Sequence, residues 1–200
     1  IMFSSGTTGK PKSIVHSVGG TLIQHIKELG LHVDLKSDEK LFYYTTCGWM
    51  MWNWLLSGLF FESTIVLYDG NPFYPDNDSL FELAQYNEIN IFGTSASFIS
   101  HLNSLNLNIK DKFDLPKLRL ILSTGSALNS EDFDYVYKKI KGDVQLSSIS
   151  GGTDIISCFV LGNPILNVIR GQIQCKGLGM DVESYDSNSG KLINEKGELV

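Results

Sequence analysis

Cysteine is sparse in this 200-residue sequence. Cys47, Cys158 and Cys175 are odd in number, far apart and free of any C-x-x-C pair, which argues against a disulfide framework or a structural zinc cluster and fits a reducing compartment. Positive charge is also short. Sixteen Lys and Arg against 22 Asp and Glu leave a formal charge of -6, so there is no generally basic surface to hold nucleic acid or an anionic membrane. Any anionic ligand must be gripped by a specific local site. No apolar run reaches the ~20 residues of a spanning helix; the longest candidate, 49–61, is interrupted by Asn53, Ser57 and Gly58. Signal-peptide pattern, internal repeats and low-complexity tracts are missing as well.

A hydrophobic content of 42% is enough to build one domain or one large lobe. Short β-branched apolar runs alternate with longer amphipathic stretches, which is the rhythm of an α/β fold with mostly parallel sheets flanked by helices. Strands are expected at 41–44, 64–68, 89–92, 118–122 and 144–148. Helical spacing links Leu22, Ile26 and Leu29; Leu80, Leu83 and Ala84 behind a cap at Asp78; Phe98, Ile99 and Leu102; and Phe133, Val136, Tyr137 and Ile140. The polar stretch 103–112 reads as a surface connection. After Gly171 the texture changes to short alternating runs with a turn at 186–190, so residues 1–170 are expected to form the α/β core and 171–200 the start of a small β subdomain. Both ends read as cut, and the chain is expected to be an internal piece of a longer protein.

The most informative segment is the opening run Ser4-Ser5-Gly6-Thr7-Thr8-Gly9-Lys10-Pro11-Lys12. Gly6 and Gly9 let the backbone approach a bulky anion, successive N–H groups form an anion-binding concavity, and Ser5, Thr7, Thr8, Lys10 and Lys12 add donors and charge. The pattern G-x-x-x-x-G-K-[ST] of P-loop NTPases requires Gly at 4 and Ser or Thr at 11, where this sequence has Ser4 and Pro11, so that reading fails. A polar surface turn is the plain alternative.

The run F-S-S-G-T-T-G-K-P-K resembles the signature of the adenylate-forming superfamily of acyl-CoA synthetases, peptide-synthetase adenylation domains and luciferases. Further segments extend the resemblance over the whole chain: I-V-H-S-V-G-G (14–20), Y-T-T-C-G-W-M-M-W-N (44–53), I-V-L-Y-D-G-N-P (65–72), F-G-T-S (92–95), S-T-G-S-A-L (123–128), S-I-S-G-G-T-D (148–154) and G-Q-I-Q-C (171–175). Their order and spacing look most like the acetoacetate-activating branch. The resemblance implies ATP, Mg2+ and coenzyme A as a co-substrate, with a carboxylate attacking the α-phosphate of ATP and a thiol then displacing AMP. It also implies a cytosolic ligase serving lipid synthesis, with an N-terminal region and a C-terminal mobile domain, a ribose-binding aspartate and an adenylation lysine outside these residues.

Residue by residue, the resemblance places Ser5, Gly6, Thr7, Thr8, Gly9 and Lys12 on the β- and γ-phosphates. Gly125, Ser126 and Ala127 would pack main chain on the adenine face, although relatives often carry an acidic residue and Pro at the last two; a strand-to-helix turn is the other reading of Gly125. Ser148, Ile149, Ser150, Gly151 and Gly152 would lead to Thr153 on the α-phosphate and to Asp154 as the magnesium ligand, where relatives have Glu. Asp154 could equally cap a turn. Trp49, Met50, Met51, Thr124 and Gly151 would line the acid pocket. Glycine at 151, where acetate-activating relatives have tryptophan, leaves room for a four-carbon β-keto acid such as acetoacetate. Trp52 and Trp54 also read as core. Cys47 reads as a packed thiol. The four histidines lack metal-ligand spacing, and His16 either orients the site or is structural. Three functions therefore stand: an acetoacetate ligase, a ligase for another short or medium acid, and a non-catalytic nucleotide-binding module.

Overall fold

The computed structural model describes residues 1–4, 9–188, 190–192 and 195–200. An antiparallel ladder opens the chain, with β1 (Met2–Ser4) paired to β2 (Lys12–Ile14) so that Ser4 faces Lys12. Ser17 then caps α1 (Val18–Lys27), its side chain accepting from the Gly20 amide at 3.1 Å. This helix widens into a π-helical turn, Glu28–His32, in which Glu28, Leu29 and His32 are buried. Insertions of this kind change which side chains face inward and recur at functional positions.

Strands and helices then alternate: β3 (Lys40–Tyr43), α2 (Met50–Leu56), β4 (Thr64–Val66), α3 (Ser79–Tyr86), β5 (Ile91–Ser95), α4 (Ala96–Ser104), β6 (Leu120–Thr124), α5 (Ser130–Tyr135) and β7 (Gln145–Ser148). The five strands form one parallel sheet in the order β4-β3-β5-β6-β7. Both of its faces are covered, which explains the near-continuous apolar runs of β5 and β6. Successive residues enter opposite cores. Phe42, Phe92, Ile121 and Leu146 pack with Leu80 and Phe81 of α3, Ile99 of α4 and Phe133 of α5, while Leu41, Tyr43, Ile91, Leu120 and Leu122 pack with Trp54 of α2 and Leu29. Phe92 sits 5.2 Å from the Phe42 ring and 5.1 Å from that of Phe81; burying a side chain of this size contributes roughly 1.5–3 kcal/mol.

β8 (Ser150–Gly152), β9 (Ser157–Leu161) and β10 (Cys175–Lys176) form a second, antiparallel sheet, and β11 (Ser184–Tyr185), β12 (Lys191–Leu192) and β13 (Glu198–Leu199) a third. Strand β10 pairs back on β9, so the second sheet draws from both sides of Gly171. Among the described residues, no helix is long and apolar enough to cross a membrane.

Several local expectations need correction. β5 and β6 each begin two residues later than expected and run on through Thr94-Ser95 and Ser123-Thr124, because those hydroxyl-bearing residues pair in register and are mostly enclosed. Strand β4 ends at Val66 rather than at 68. The stretch 103–112 is not wholly a surface connection, since Ile109 is fully buried in the core. Asp78 does precede α3 but makes no side-chain cap bond; its carboxylate pairs with Lys112 instead. Cys47 is exposed rather than packed.

Candidate functional site

The C-terminal ends of β3, β5, β6 and β7 open on a cleft of about 460 Å³, at the edge where open α/β sheets take their ligands. Three segments named from the sequence converge on it. Trp49, Met50 and Met51 come from the start of α2, where Trp49 stands at the N-cap position in an extended conformation. Thr124, Gly125, Ser126 and Ala127 leave the end of β6. The third segment comprises Ser148, Ile149, Ser150, Gly151, Gly152 and Thr153. Thr124 Oγ1 donates to the Ile149 carbonyl at 3.1 Å, tying the second segment to the third.

Gly125 has φ +90°, and although an added Cβ would meet nothing nearer than Ser95 Cβ at an ordinary 3.9 Å, the turn that exposes 125–127 to the cleft needs glycine for its backbone. At Gly151 the constraint is closeness. An added Cβ would fall 2.3 Å from the Ser157 carbonyl oxygen and 3.0 Å from Cys158 Cα, because the β8–β9 pairing slips between Ser150 and Gly151. The glycine expected to remove a pocket wall is therefore also what allows β8 to lie against β9.

Asp154 is exposed and follows Thr153 into the turn that leads to β9. The His16 ring bonds the Thr153 carbonyl through Nε2 at 2.8 Å, so the segment behind the glycine-rich run is attached directly to this turn. His25 reaches the other end of the same turn, its Nε2 lying 2.9 Å from the Ile156 carbonyl and its Nδ1 2.8 Å from Ser57 Oγ. Gly9, Lys10 and Lys12 are exposed and do not line the cleft. Ser5, Gly6, Thr7 and Thr8 lie outside the described residues. Trp54 is core, whereas Trp52 is half-buried.

The cleft also contains Tyr43, Tyr44, Thr94, Ser95, Cys158 and Ile173, none of which was singled out from the sequence as a site residue. Thr94 and Ser95 could have been found, as a hydroxyl pair closing an apolar run inside F-G-T-S. Cys158 gave no signal. Burial, and after it the Glu28 carboxylate, push its thiol well above the usual range, so it remains protonated and is not poised as a nucleophile. Burial likewise raises the Tyr43 phenol, whose hydroxyl donates to the Thr94 carbonyl at 3.4 Å. A second hollow of about 610 Å³, bordered by Met2, His16, Cys47 and Asn53, shares no residue with the cleft.

A parallel sheet with a hydroxyl- and glycine-lined crevice at its strand ends is the architecture of a nucleotide-binding α/β domain. Residues 1–200 match the AMP-binding enzyme family, and the chain belongs to it. It is 56% identical over 200 residues to the acetoacetyl-coenzyme A synthetase of Rhizobium meliloti (strain 1021), covering 100% of this chain and 31% of that protein. Against acetoacetyl-CoA synthetase of Gallus gallus the identity is 50%, over 100% of this chain and 30% of the relative. Among solved structures, acetoacetyl-CoA synthetase from Streptomyces lividans superposes with a TM-score of 0.92 at 42% identity, over 99% of this chain and 31% of that one. An anthranilate CoA ligase in complex with anthranoyl-AMP superposes at 0.85 over 99% of this chain and 38% of that one, and at 20% identity it supports the fold alone. The chain thus spans about 30% of the length of the curated relatives it matches.

Proposed function

We infer that this chain supplies the nucleotide- and acid-binding core of a ligase that activates acetoacetate with ATP and passes the acyl group to coenzyme A. The observation that carries this reading is the convergence of segments 49–51, 124–127 and 148–153 on one cleft, in a chain half or more identical to acetoacetyl-CoA synthetases. In the first half-reaction a carboxylate oxygen bonds to the α-phosphorus and the bond to pyrophosphate breaks. In the second the sulfur of coenzyme A bonds to the acyl carbon and AMP departs. Both steps need negative charge stabilised where anions meet.

The proposed roles combine the cleft lining with the family resemblance of the motifs. Thr153 donates to the α-phosphate from the cleft wall, while the main chain of Gly125, Ser126 and Ala127 faces the adenine, with 148–152 forming the facing edge. Trp49, Met50, Met51, Thr124 and Gly151 enclose the acid; methionine side chains adapt to a short keto acid without fixing one shape. Ser5, Gly6, Thr7, Thr8, Gly9 and Lys12 hold the outer phosphates. Among the described residues no group of three or more His, Cys, Asp or Glu could hold a metal ion alone. Magnesium commonly binds through one or two carboxylates together with substrate phosphates, so the lone exposed Asp154 fits an ion that arrives with the nucleotide and supplies charge neutralisation at the phosphates. Residues 1–170 serve as the α/β core and 171–200 lead into the β subdomain of a cytosolic enzyme.

The test is acid-dependent exchange of labelled pyrophosphate into ATP by the full-length protein. Acetoacetate should support the fastest exchange among acetoacetate, acetate, propionate and butyrate. A clear preference for another of these acids would move the assignment to a different acyl-CoA ligase, and no exchange with any would overturn ligase activity.

A further inference from the structure

The cleft rests on a buried carboxylate that does not line it. Glu28 opens the π-helical turn at the end of α1 and is fully buried. Its Oε1 accepts from the Cys158 amide at 2.9 Å and from Ser157 Oγ, and its Oε2 accepts from Trp54 Nε1 at 2.9 Å, with Cys158 Sγ 3.4 Å away. Lys27 Nζ stands 3.6 Å from the same carboxylate. Every partner is a donor, so both carboxylate oxygens serve as acceptors. Gln24 donates to Ser157 Oγ at 3.0 Å, which leaves the serine hydrogen for Glu28.

These partners belong to two elements that face the cleft from different sides. Trp54 lies on α2, the helix that begins with Met50 and Met51, whereas Ser157 and Cys158 lie on β9, the strand pressed against Gly151. One carboxylate therefore spans the two walls assigned above to the acid. Ordinary apolar packing could hold α2 and β9 near each other. Hydrogen bonds from one carboxylate to both fix their separation within a narrow range, because each depends steeply on distance and angle.

We propose that Glu28 is a positioning residue for acid recognition: it sets the spacing between α2 and the β8–β9 ladder, and thereby the width of the acid pocket. The inference rests on the functional reading above for the identity of those walls. The route from Glu28 to the pocket runs through Trp54 on one side and through Ser157 and Cys158 on the other, so loosening either strap should loosen recognition of the acid before that of the nucleotide.

The experiment uses the full-length protein carrying Glu28→Gln, which keeps the shape but presents a donor to a ring of donors, with Trp54→Phe removing one strap and Ser157→Ala weakening the other, whose Cys158 amide bond remains. For Glu28→Gln, KM for the acid should rise on the order of tenfold or more, since ångström-scale misplacement is costly, while KM for ATP changes little. Discrimination between acetoacetate and butyrate should narrow. The two strap variants should shift the same parameters less, and should be non-additive with Glu28→Gln. In parallel, amide hydrogen exchange should quicken together in 49–57 and 150–158. Equal changes in the two KM values, or lowered thermal stability with acid KM and discrimination unmoved, would overturn the proposal. So would unchanged exchange in those segments, a readout that needs no substrate and therefore still decides the role of Glu28 if wild-type protein activates none of the acids and the ligase reading fails.

Discussion

Placing even a methyl group at position 151 should cost stability, and the adjacent glycine supplies the control. In the Gly151→Ala variant the new Cβ would meet the Ser157 carbonyl oxygen at 2.3 Å, the Ser157 carbonyl carbon at 3.2 Å and Cys158 Cα at 3.0 Å. All three are backbone atoms, so no side chain can swing aside. An ordinary carbon–oxygen contact would require β9 to withdraw by about 1 Å, which pulls on the Cys158 amide bonded to Glu28 at 2.9 Å. Overpacking of this kind costs about 1–3 kcal/mol, or roughly 2–12 °C in melting temperature for a domain of this size. At Gly152 the nearest atom to an added Cβ is Phe159 Cε2 at 3.8 Å, an ordinary contact, and Gly152→Ala should melt close to wild type. Thermal unfolding of the full-length protein and the two variants, followed by circular dichroism, makes the comparison. Equal melting temperatures for Gly151→Ala and Gly152→Ala would refute the reasoning. A tryptophan placed at 151 to narrow the pocket would meet the same obstruction, so its effect on acid choice would combine filling with displacement of the ladder.

Gly93→Ala would put a Cβ 2.0 Å from the Tyr43 ring, and because Tyr43 lines the cleft the displaced ring should weaken acid binding, read as a raised KM, and lower stability by about 1–3 kcal/mol. His25 makes a pH prediction. Burial is the leading cause that holds its pKa below the usual 6.5, so the folded protein resists a proton that the unfolded chain accepts. Its contribution to stability is complete above the unfolded pKa and declines as pH falls through about 6.5 toward the folded value. Urea midpoints measured between about pH 5 and 8 should fall less on the acid side for His25→Gln than for wild type, and parallel curves would remove His25 from the account. The 200-residue segment alone should make no acetoacetyl-CoA, given that it spans only 31% of the Rhizobium relative; thioester formation by the isolated segment at the full-length rate would contradict this.

The parallel sheet was legible because its strands are buried on both faces and so read as apolar runs. The C-terminal ends of β5 and β6 were not. Thr94 and Ser123 read as polar punctuation, yet they continue β5 and β6 in register, Thr94 opposite Ser123, whereas the end of β7 at Ser148 was expected. The cleft segments were found because their motifs are contiguous in sequence. Glu28 was invisible for the opposite reason: its partners lie 26 positions away at Trp54 and 129 and 130 away at Ser157 and Cys158, and a glutamate near the end of an amphipathic helix reads as solvated surface. Gly151 was identified for the room it leaves, whereas its closeness to Ser157 is a tertiary fact that appears only once β8 and β9 are paired.

The charge of the cleft sharpens how a chain of net charge -6 could hold a nucleotide. Among the described residues lining it there is no Lys, Arg, His, Asp or Glu, only hydroxyl, aromatic, thioether, thiol, small and, at Ile149 and Ile173, branched aliphatic side chains. Such a lining accepts an adenine ring or a short acyl chain without desolvating a protein charge, which is the expensive part of burying an ion. It cannot neutralise phosphates by itself. In the proposed function neutralisation would come from outside this lining: Lys10 and Lys12 are exposed on the run that carries the glycine-rich signature, and a cation arriving with the nucleotide at Asp154 would add to it. On the proposed function two tasks are separated that a single charged pocket would confuse: the neutral interior would select by shape and hydrogen bonding, while lysines outside it would supply attraction that decays with salt. Raising ionic strength should therefore weaken nucleotide affinity while the relative preference among acids of equal charge stays constant. A preference that moved in step with salt would place a charged group inside the acid pocket, contrary to its lining.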